Sequence, residues 1–117
     1  LPASQWRLGR VILMGDAAHP MLQYLAQGAA QALEDAAVLG DAIGAHADVE
    51  RAFEAYQDAR VERTARVQTD ARRWGDWWHQ FPSEGLARRD AYLRARAPDD
   101  YSESDWLYGY GERYALR

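Results

Sequence analysis

The chain has 117 residues, a formal net charge of −4 and no cysteine, so it is long enough for one small domain but offers neither a disulfide nor a thiolate metal site. All 14 basic residues are arginines, and they alternate with acidic residues along the predicted helices instead of forming one basic face, which argues against nucleic-acid binding. No apolar segment approaches the roughly 20 residues of a membrane span and no signal peptide is recognisable, so we expect a cytoplasmic protein with no membrane partner.

The first predicted element is a short buried strand from Arg10 to Met14, because an aliphatic run there ends at Gly15. Pro20 cannot continue a strand, so residues 15–27 are predicted to form a loop. Only residues 1–9 precede the strand, and one strand cannot form a sheet alone. We therefore expect the chain to be the C-terminal piece of a longer polypeptide, whose N-terminal remainder supplies the partner strands.

Two long helices are predicted next. Small and aliphatic residues recur at steps of three and four from Gly28 to Gly44, which is a suitable C-terminal stop. Asp48 is a suitable N-cap for a second helix. The same spacing extends this helix to about residue 79, with Gly75 as a weak point.

The remaining chain is predicted to be helical and aromatic. Pro82 interrupts the second helix, and Ser83 is a suitable cap for a third helix that runs to about Arg96. Residues 101–117 form an aromatic tail. The chain is therefore predicted to be mostly α, with one strand and long helices.

The most informative segment is residues 11–35, where the predicted strand delivers Asp16 to a loop and Gly28 begins an alanine-rich helix. A carboxylate accepts hydrogen bonds from hydroxyl groups. The free N–H groups of a helix start, with a partial charge of roughly +0.5 e, favour an electron-rich or anionic group. This combination predicts a site for a polar cofactor.

The same segment contains fixed residue types at fixed spacing: Gly-Asp-Ala-Ala-His-Pro at residues 15–20, Gln-Gly at 27–28 and Glu-Asp-Ala at 34–36. This pattern resembles the second flavin-binding motif of the class A FAD-dependent aromatic hydroxylases, a family of flavoprotein monooxygenases. The resemblance implies that the chain is part of an α/β FAD/NAD(P)-binding fold in the complete enzyme. Residues 1–46 would be the C-terminal part of the FAD-binding domain, and residues 47–117 a C-terminal helical region with the aromatic tail.

The resemblance also implies a set of cofactor-binding residues: Gly15, Asp16, Gln27, Gly28 and Ala29. Asp16 would accept hydrogen bonds from the ribityl hydroxyls of FAD; the alternative is a side chain that caps the loop backbone. The N–H groups of Gly28 and Ala29 would face the N1–C2=O edge of the flavin, where the helix dipole stabilises the reduced ring by on the order of 1 kcal/mol. Alternatively, Gly28 serves only a tight turn. No metal site is expected.

Gln23 is the candidate catalytic residue. It lies in a part of the loop where many members of the family have proline, and the pair Gln23-Tyr24 resembles the 3-hydroxybenzoate 6-hydroxylase subgroup. An amide there can hydrogen-bond a substrate phenol or carboxylate, or the water that relays the substrate's proton. The alternative is an amide that only fixes the loop backbone, and the sequence leaves both open.

Other polar residues of the motif are interpreted as structural. His19 is expected to hold the shape of the loop rather than to act as an acid or base. Arg60 and Arg63 match a pattern of the family, and we expect them to pair with carboxylates of the loop or sheet. Glu34 and Asp35 lie on adjacent faces of one helix, so they are expected to organise packing rather than to form an acid/base pair.

The resemblance implies that the complete enzyme uses NADH or NADPH to reduce FAD, and that it hydroxylates a small phenolic aromatic acid with O2. The implied substrate is 3-hydroxybenzoate, which would give gentisate, and a salicylate hydroxylase-type monooxygenase is the alternative. Such an enzyme needs an N-terminal βαβ unit with a GxGxxG motif, which this chain does not contain, so the chain is not expected to be active alone. A homodimer is expected from the resemblance only.

Two aromatic motifs extend the resemblance toward the end of the chain. Residues 74–79, Trp-Gly-Asp-Trp-Trp-His, and residues 106–110, Trp-Leu-Tyr-Gly-Tyr, are similar to the C-terminus of the same subgroup. We expect them to pack in the core or in a subunit interface rather than to stack on a cofactor. A hypothesis from another class makes residues 48–110 a non-catalytic helical interaction module, which predicts that Asp16 and Gly28 can be replaced without functional loss.

Overall fold

The computed structural model describes residues 2–79 and 83–109. In chain order these residues form two short strands, two 3-10 turns and four helices: β1 (Arg7–Leu8), β2 (Val11–Ile12), turns at Gly15–Ala17 and Gln23–Leu25, α1 (Gly28–Ala45), α2 (Val49–Trp78), α3 (Ser83–Ala95) and α4 (Asp105–Tyr108). The prediction of a mostly helical chain is confirmed. Among the described helices, none combines the length and the apolar character needed to cross a bilayer.

The predicted strand is shorter than expected, and the chain itself supplies its partner. Strand β2 pairs antiparallel with β1, so that Leu8 stands opposite Val11. The prediction of a single buried strand from Arg10 to Met14 is therefore corrected, because Arg10 lies in the turn of a hairpin. The expected burial is wrong as well: Leu8 and Val11 are 84% and 63% exposed. A two-residue strand is too short to produce the alternation by which strands are recognised in a sequence.

Trp6 anchors this hairpin on the helices. Its ring is buried, and its centroid lies 5.4 Å from that of His19 and 5.9 Å from that of Tyr56. The backbone N–H of Trp6 donates to Oε1 of Gln57 at 2.8 Å, which ties the hairpin to α2. Three small buried residues complete this core: Ala18, Ala42 and Ala52.

Helix α2 packs through a face that is partly polar. Its buried residues recur at close to every fourth position: Ala52, Tyr56, Arg60, Thr64, Val67, Gln68, Ala71 and Gly75. The predicted N-cap is confirmed, because Oδ1 of Asp48 accepts the N–H of Glu50 at 2.9 Å. Helix α1 ends at Ala45, one residue beyond the predicted stop, which is within the usual uncertainty of helix ends.

Gly75 is a contact point in α2 rather than a break. The helix continues through it to Trp78. A Cβ atom at Gly75 would overlap the ring of Tyr24, because it would lie closer to the ring carbons than real Cβ atoms approach their neighbours. The glycine therefore allows the loop between Gly15 and Gly28 to lie directly on α2.

The described chain divides into two compact units, the first ending at Asp76 and the second beginning at Trp77. Within the second unit, Trp77 meets the ring of Tyr92 edge-on at a centroid distance of 5.5 Å. Arg89 lies over the ring of Trp78 and donates to the backbone oxygen of that residue at 3.2 Å.

Some predictions are not tested by this description. Pro82, the predicted interruption of the second helix, and Tyr110, in the aromatic tail, lie outside the described residues. The predicted boundary between residues 46 and 47 concerns the organisation of a complete enzyme and stays a prediction.

Candidate functional site

The site begins with a tight turn at Gly15. This residue follows extended backbone at Met14 and has a φ of +56°, in the left-handed region that favours glycine. A Cβ atom there would also lie 3.4 Å from Cβ of Ala32 on α1. The carbonyl of Gly15 accepts the N–H groups of Ala18 and His19 at 3.0 and 2.9 Å, which closes the turn. Asp16 is therefore held on the outer side of a compact turn.

The turn brings Asp16 to the beginning of α1. The Asp16 side chain is exposed, and its Oδ1 lies 3.6 Å from the point that a Cβ atom of Gly28 would occupy. It makes no hydrogen bond with the residues that the structure describes. The loop backbone that it would cap under the alternative interpretation is thus not its partner. The structure places this carboxylate, without a partner among the described residues, beside the first residue of a long helix.

The helix start offers backbone donors next to this carboxylate. The first bond of the helical ladder runs from the N–H of Gln31 to the carbonyl of Gln27 at 2.8 Å, so the N–H groups of Gly28 and Ala29 precede the ladder. Ala29 is exposed and Gly28 is half-buried. Gln27 is buried, and its Oε1 accepts the Nε2 of Gln31 at 3.2 Å, so its side chain faces the interior.

Gln23 lies on the exposed surface of the loop. It begins the second 3-10 turn, and its carbonyl accepts the N–H of Ala26 at 2.9 Å. Its side-chain amide makes no hydrogen bond within the described part of the chain. The alternative role, in which this amide fixes the loop backbone, therefore has no contact in the structure to support it.

Asp35 connects the Gly15 turn to helices α1 and α2. Its carboxylate is fully buried. Oδ2 accepts the backbone N–H of Gly15 at 2.8 Å and bonds Nε2 of His19 at 2.6 Å. Oδ1 accepts Nε of Arg60 at 2.8 Å. The prediction that His19 holds the shape of the loop is confirmed, because this ring is 1% exposed and bound to Asp35.

Two arginines of α2 complete a charge-balanced network with α1. Arg60 donates to Glu34 Oε2 at 2.6 Å and to Gln31 Oε1 at 2.8 Å. Arg63 donates a hydrogen bond to each oxygen of the Glu34 carboxylate, both at 2.7 Å. Ion pairing of the two arginines is thus confirmed. The expected location of their partners is wrong, because the carboxylates lie on α1 and not on the loop or sheet.

The pKa values of this network follow from competition between burial and pairing. Burial by itself raises the pKa of Asp35, but the bonds from His19, the N–H of Gly15 and Arg60 outweigh it and lower the pKa to about 2. Burial also opposes ionisation of Glu34, and the bonds from Arg63 and Arg60 lower its pKa overall. Both carboxylates are therefore ionised at neutral pH.

Two buried polar atoms lie outside this pairing. Nδ1 of His19 and the hydroxyl of Tyr56 have no hydrogen-bond partner among the described residues. Burial raises the pKa of Tyr56, and the neighbouring charge of Asp35 raises it further. Tyr56 is therefore a neutral hydroxyl over the whole physiological pH range.

The role of Asp35 as the partner of the turn is not predicted from the sequence. A signal was present, because Gln31 and Asp35 are one helical turn apart and fall on one face of α1. A charged residue on an inward face needs a buried partner. Which partner it meets depends on how α1 and α2 pack, and no spacing along the chain gives that.

Comparison with known proteins relates this geometry to flavin enzymes. A family model described as FAD binding domain matches residues 2–71. The 3-hydroxybenzoate 6-hydroxylase of Polaromonas naphthalenivorans (strain CJ2) is 46% identical over 111 residues, which are 93% of this chain and 28% of that protein. The protein of the same name from Klebsiella oxytoca is 40% identical over 116 residues, 98% of this chain and 29% of that protein.

A relative with a different name is similar to the same degree. The 6-hydroxynicotinate 3-monooxygenase of Bordetella bronchiseptica is 49% identical over 112 residues, 93% of this chain and 24% of that protein. The chain spans between 24% and 29% of the length of these three relatives.

Proposed function

Because the chain belongs to the FAD binding domain family, we propose that it is the C-terminal portion of an FAD-dependent monooxygenase that hydroxylates a phenolic aromatic acid. The observation that carries this proposal is the approach of the Asp16 carboxylate to the first residue of α1. An acceptor for hydroxyls and the amide donors of the helix start would thereby face the same ligand.

This donor set fits the two ends of the isoalloxazine–ribitol unit. The carboxylate of Asp16 is exposed and has no partner among the described residues, so it is available to accept ribityl hydroxyls. The N–H groups of Gly28 and Ala29 are available to an electron-rich carbonyl edge, and the helix dipole favours negative charge there. Gly15 holds the turn, and Gln27 supplies the carbonyl at which the helical ladder begins. When bound, FAD supplies the redox chemistry with NADH or NADPH and O2.

The absence of a side chain at residue 28 supports a ligand at this place. Gly28 does not have a positive φ, so its backbone does not require glycine. A Cβ atom would make only ordinary contact with Asp16 Oδ1, so the protein itself leaves room for alanine. A ligand that approaches the helix start closely gives a reason for the glycine that the free chain does not.

Gln23 is proposed to act on the substrate side. Its amide is exposed and makes no bond within the described chain, so both its donor and its acceptor remain available. It would orient a phenol or carboxylate, or hold the water through which the phenol loses its proton. The hydroxylation itself depends on the cofactor, and these residues bind, orient and exclude water.

We propose 3-hydroxybenzoate as the substrate and gentisate as the product, because several relatives bear the name 3-hydroxybenzoate 6-hydroxylase. A salicylate-type hydroxylase is the second candidate. Identity alone does not rank substrates, since the 6-hydroxynicotinate 3-monooxygenase is 49% identical. A cytoplasmic homodimer completes the proposal.

The test uses the complete polypeptide that contains this chain. Purified protein should be yellow, with the absorbance maximum of bound oxidised flavin at about 450 nm. Asp16→Ala should remove the flavin. The control is Asp41→Ala, which replaces an exposed aspartate of α1 and should leave the flavin bound. Incubation with NADH and 3-hydroxybenzoate should yield gentisate.

Two results would reject parts of the proposal. Full FAD occupancy in Asp16→Ala would remove the proposed cofactor site and favour the helical interaction module. Faster NADH-dependent turnover of salicylate than of 3-hydroxybenzoate would replace the proposed substrate by the second candidate.

A further inference from the structure

We propose that Asp35 is a positioning residue for the cofactor site: its buried carboxylate fixes the Gly15 turn relative to the start of α1, and thereby sets where the Asp16 carboxylate lies. This inference rests on the proposed function in one respect, because it takes the space between Asp16 and Gly28 to be the flavin site. The bonds that carry it do not involve a ligand.

The first step is the contact between Asp35 and the turn. Oδ2 accepts the N–H of Gly15 at 2.8 Å and bonds Nε2 of His19 at 2.6 Å. These two residues are the first and last members of the closed turn, in which the carbonyl of Gly15 accepts the N–H of His19. One carboxylate oxygen thus holds both ends of the turn that carries Asp16.

The second step is the rigidity of the carboxylate itself. Oδ1 of Asp35 accepts Nε of Arg60 at 2.8 Å, and Arg60 is held in turn by Glu34 and Gln31. The side chains of Asp35 and Arg60 are fully buried. A buried carboxylate that accepts three donors is held in place, because a change of rotamer would leave buried donors without their acceptor.

The third step is that Asp35 and Gly28 belong to the same helix. Seven residues of α-helix span about 10 Å, so the group that fixes the turn and the N–H groups that face the ligand are parts of one rigid element. The distance between Asp16 and the helix start therefore depends on the bond between Asp35 and Gly15. Displacement of a binding group by about 1 Å is enough to cost a site much of its function.

The discriminating variant is Asp35→Asn. Asparagine has one acceptor oxygen, while Asp35 receives donors on both oxygens, so either Gly15 or Arg60 must face an NH2 group. The matched control is Arg63→Gln, which removes the bonds that Arg63 donates to Glu34 in the same network. Both variants lose a buried or half-buried charge, but only the first disturbs the hydrogen bonds of Gly15.

Two measurements on the complete polypeptide separate positioning from general stability. Hydrogen exchange of the Gly15 amide, measured without FAD, should be faster by about tenfold or more in Asp35→Asn and unchanged in Arg63→Gln. FAD affinity, measured by titration of the apoprotein at a temperature where both variants are folded, should fall about 10- to 100-fold in Asp35→Asn and stay within about twofold in Arg63→Gln.

The outcomes also separate this inference from the proposed function. Equal losses of FAD affinity in the two variants would overturn the positioning role, because the effect would then follow stability alone. If the unmutated polypeptide takes up no FAD, the proposed function fails. The exchange arm still decides the role of Asp35 in that case, since unchanged protection of Gly15 in Asp35→Asn would reject it.

Discussion

Oδ1 of Asp16 lies 3.6 Å from the point where a Cβ atom of Gly28 would stand, so the turn and the first residue of α1 are in contact without a side chain between them. This relationship leads to a prediction for Gly28→Ala. The added methyl group fits the free protein, so the free energy of unfolding should change by less than about 0.5 kcal/mol. FAD affinity of the complete polypeptide should fall by about tenfold, or about 1.4 kcal/mol, because the methyl group would occupy the proposed ligand space. Urea unfolding and flavin titration measure the two quantities, and unchanged affinity would place the ligand elsewhere.

Gly15→Ala should destabilise the fold for a reason of backbone conformation. A φ of +56° costs a residue with a Cβ atom about 1–2 kcal/mol, while the methyl group itself would only contact Cβ of Ala32, at 3.4 Å. Gly40→Ala is the control, because Gly40 lies within α1 with nothing near its Cβ position and should gain about 0.5–1 kcal/mol. Urea unfolding of both variants gives the comparison. A neutral Gly15→Ala would contradict the left-handed turn.

Arg60→Met should be the most destabilising of these substitutions. It leaves the buried carboxylate of Asp35 and its neighbour Glu34 without their shared cation, and removal of one partner of a buried pair costs about 3–5 kcal/mol. Arg51→Ala breaks an exposed pair with Glu54 and should cost less than about 1 kcal/mol. Both free energies come from chemical denaturation. Equal costs would mean that the network contributes no more than a surface pair.

Acid should destabilise the fold through Asp35. Its pKa is lowered from 3.8 to about 2 in the folded chain, so the unfolded chain binds the proton more readily. The stabilising contribution is complete above about pH 4 and is lost as the pH falls toward about 2, and it amounts to on the order of 2 kcal/mol. Glu34 acts in the same direction, since its pKa is lowered too. Unfolding free energies measured from pH 6 to pH 2 should decline less steeply in Asp35→Asn; parallel curves would contradict the assignment.

Gln23→Ala should separate the substrate side of the site from the cofactor side. The exposed amide makes no bond within the described chain, so its loss should leave stability and FAD content unchanged. Hydroxylation by the complete enzyme should slow by about 10²-fold if the amide assists proton transfer. Product formation and NADH oxidation are measured in parallel. Hydroxylation by Gln23→Ala at the wild-type rate would rule out a catalytic role for Gln23.

The parts of the site that could be predicted are those encoded over short stretches of chain. Asp16 and Gly28 are separated only by a loop, and the turn and helix signals on either side of it are local. Helix α2 was predictable because its inward positions repeat every three or four residues. The N-cap at Asp48 follows from residue type alone.

The parts that escaped prediction depend on how distant elements pack. The bond between Asp35 and Gly15 and the pairing of Arg60 with two carboxylates of α1 require the position of α2 beside α1. The hairpin at the beginning of the chain escaped because each strand has two residues, fewer than any periodic pattern needs.

Because the ring of Tyr24 lies against Gly75, the position of the loop depends on the residue at this point of α2. Because any side chain at residue 75 must displace that ring, a change there would move the neighbouring Gln23 without touching it. If Gln23 contacts the substrate as proposed, a substitution in α2 far along the chain would alter substrate preference, and a search for altered selectivity has reason to begin with Gly75→Ala.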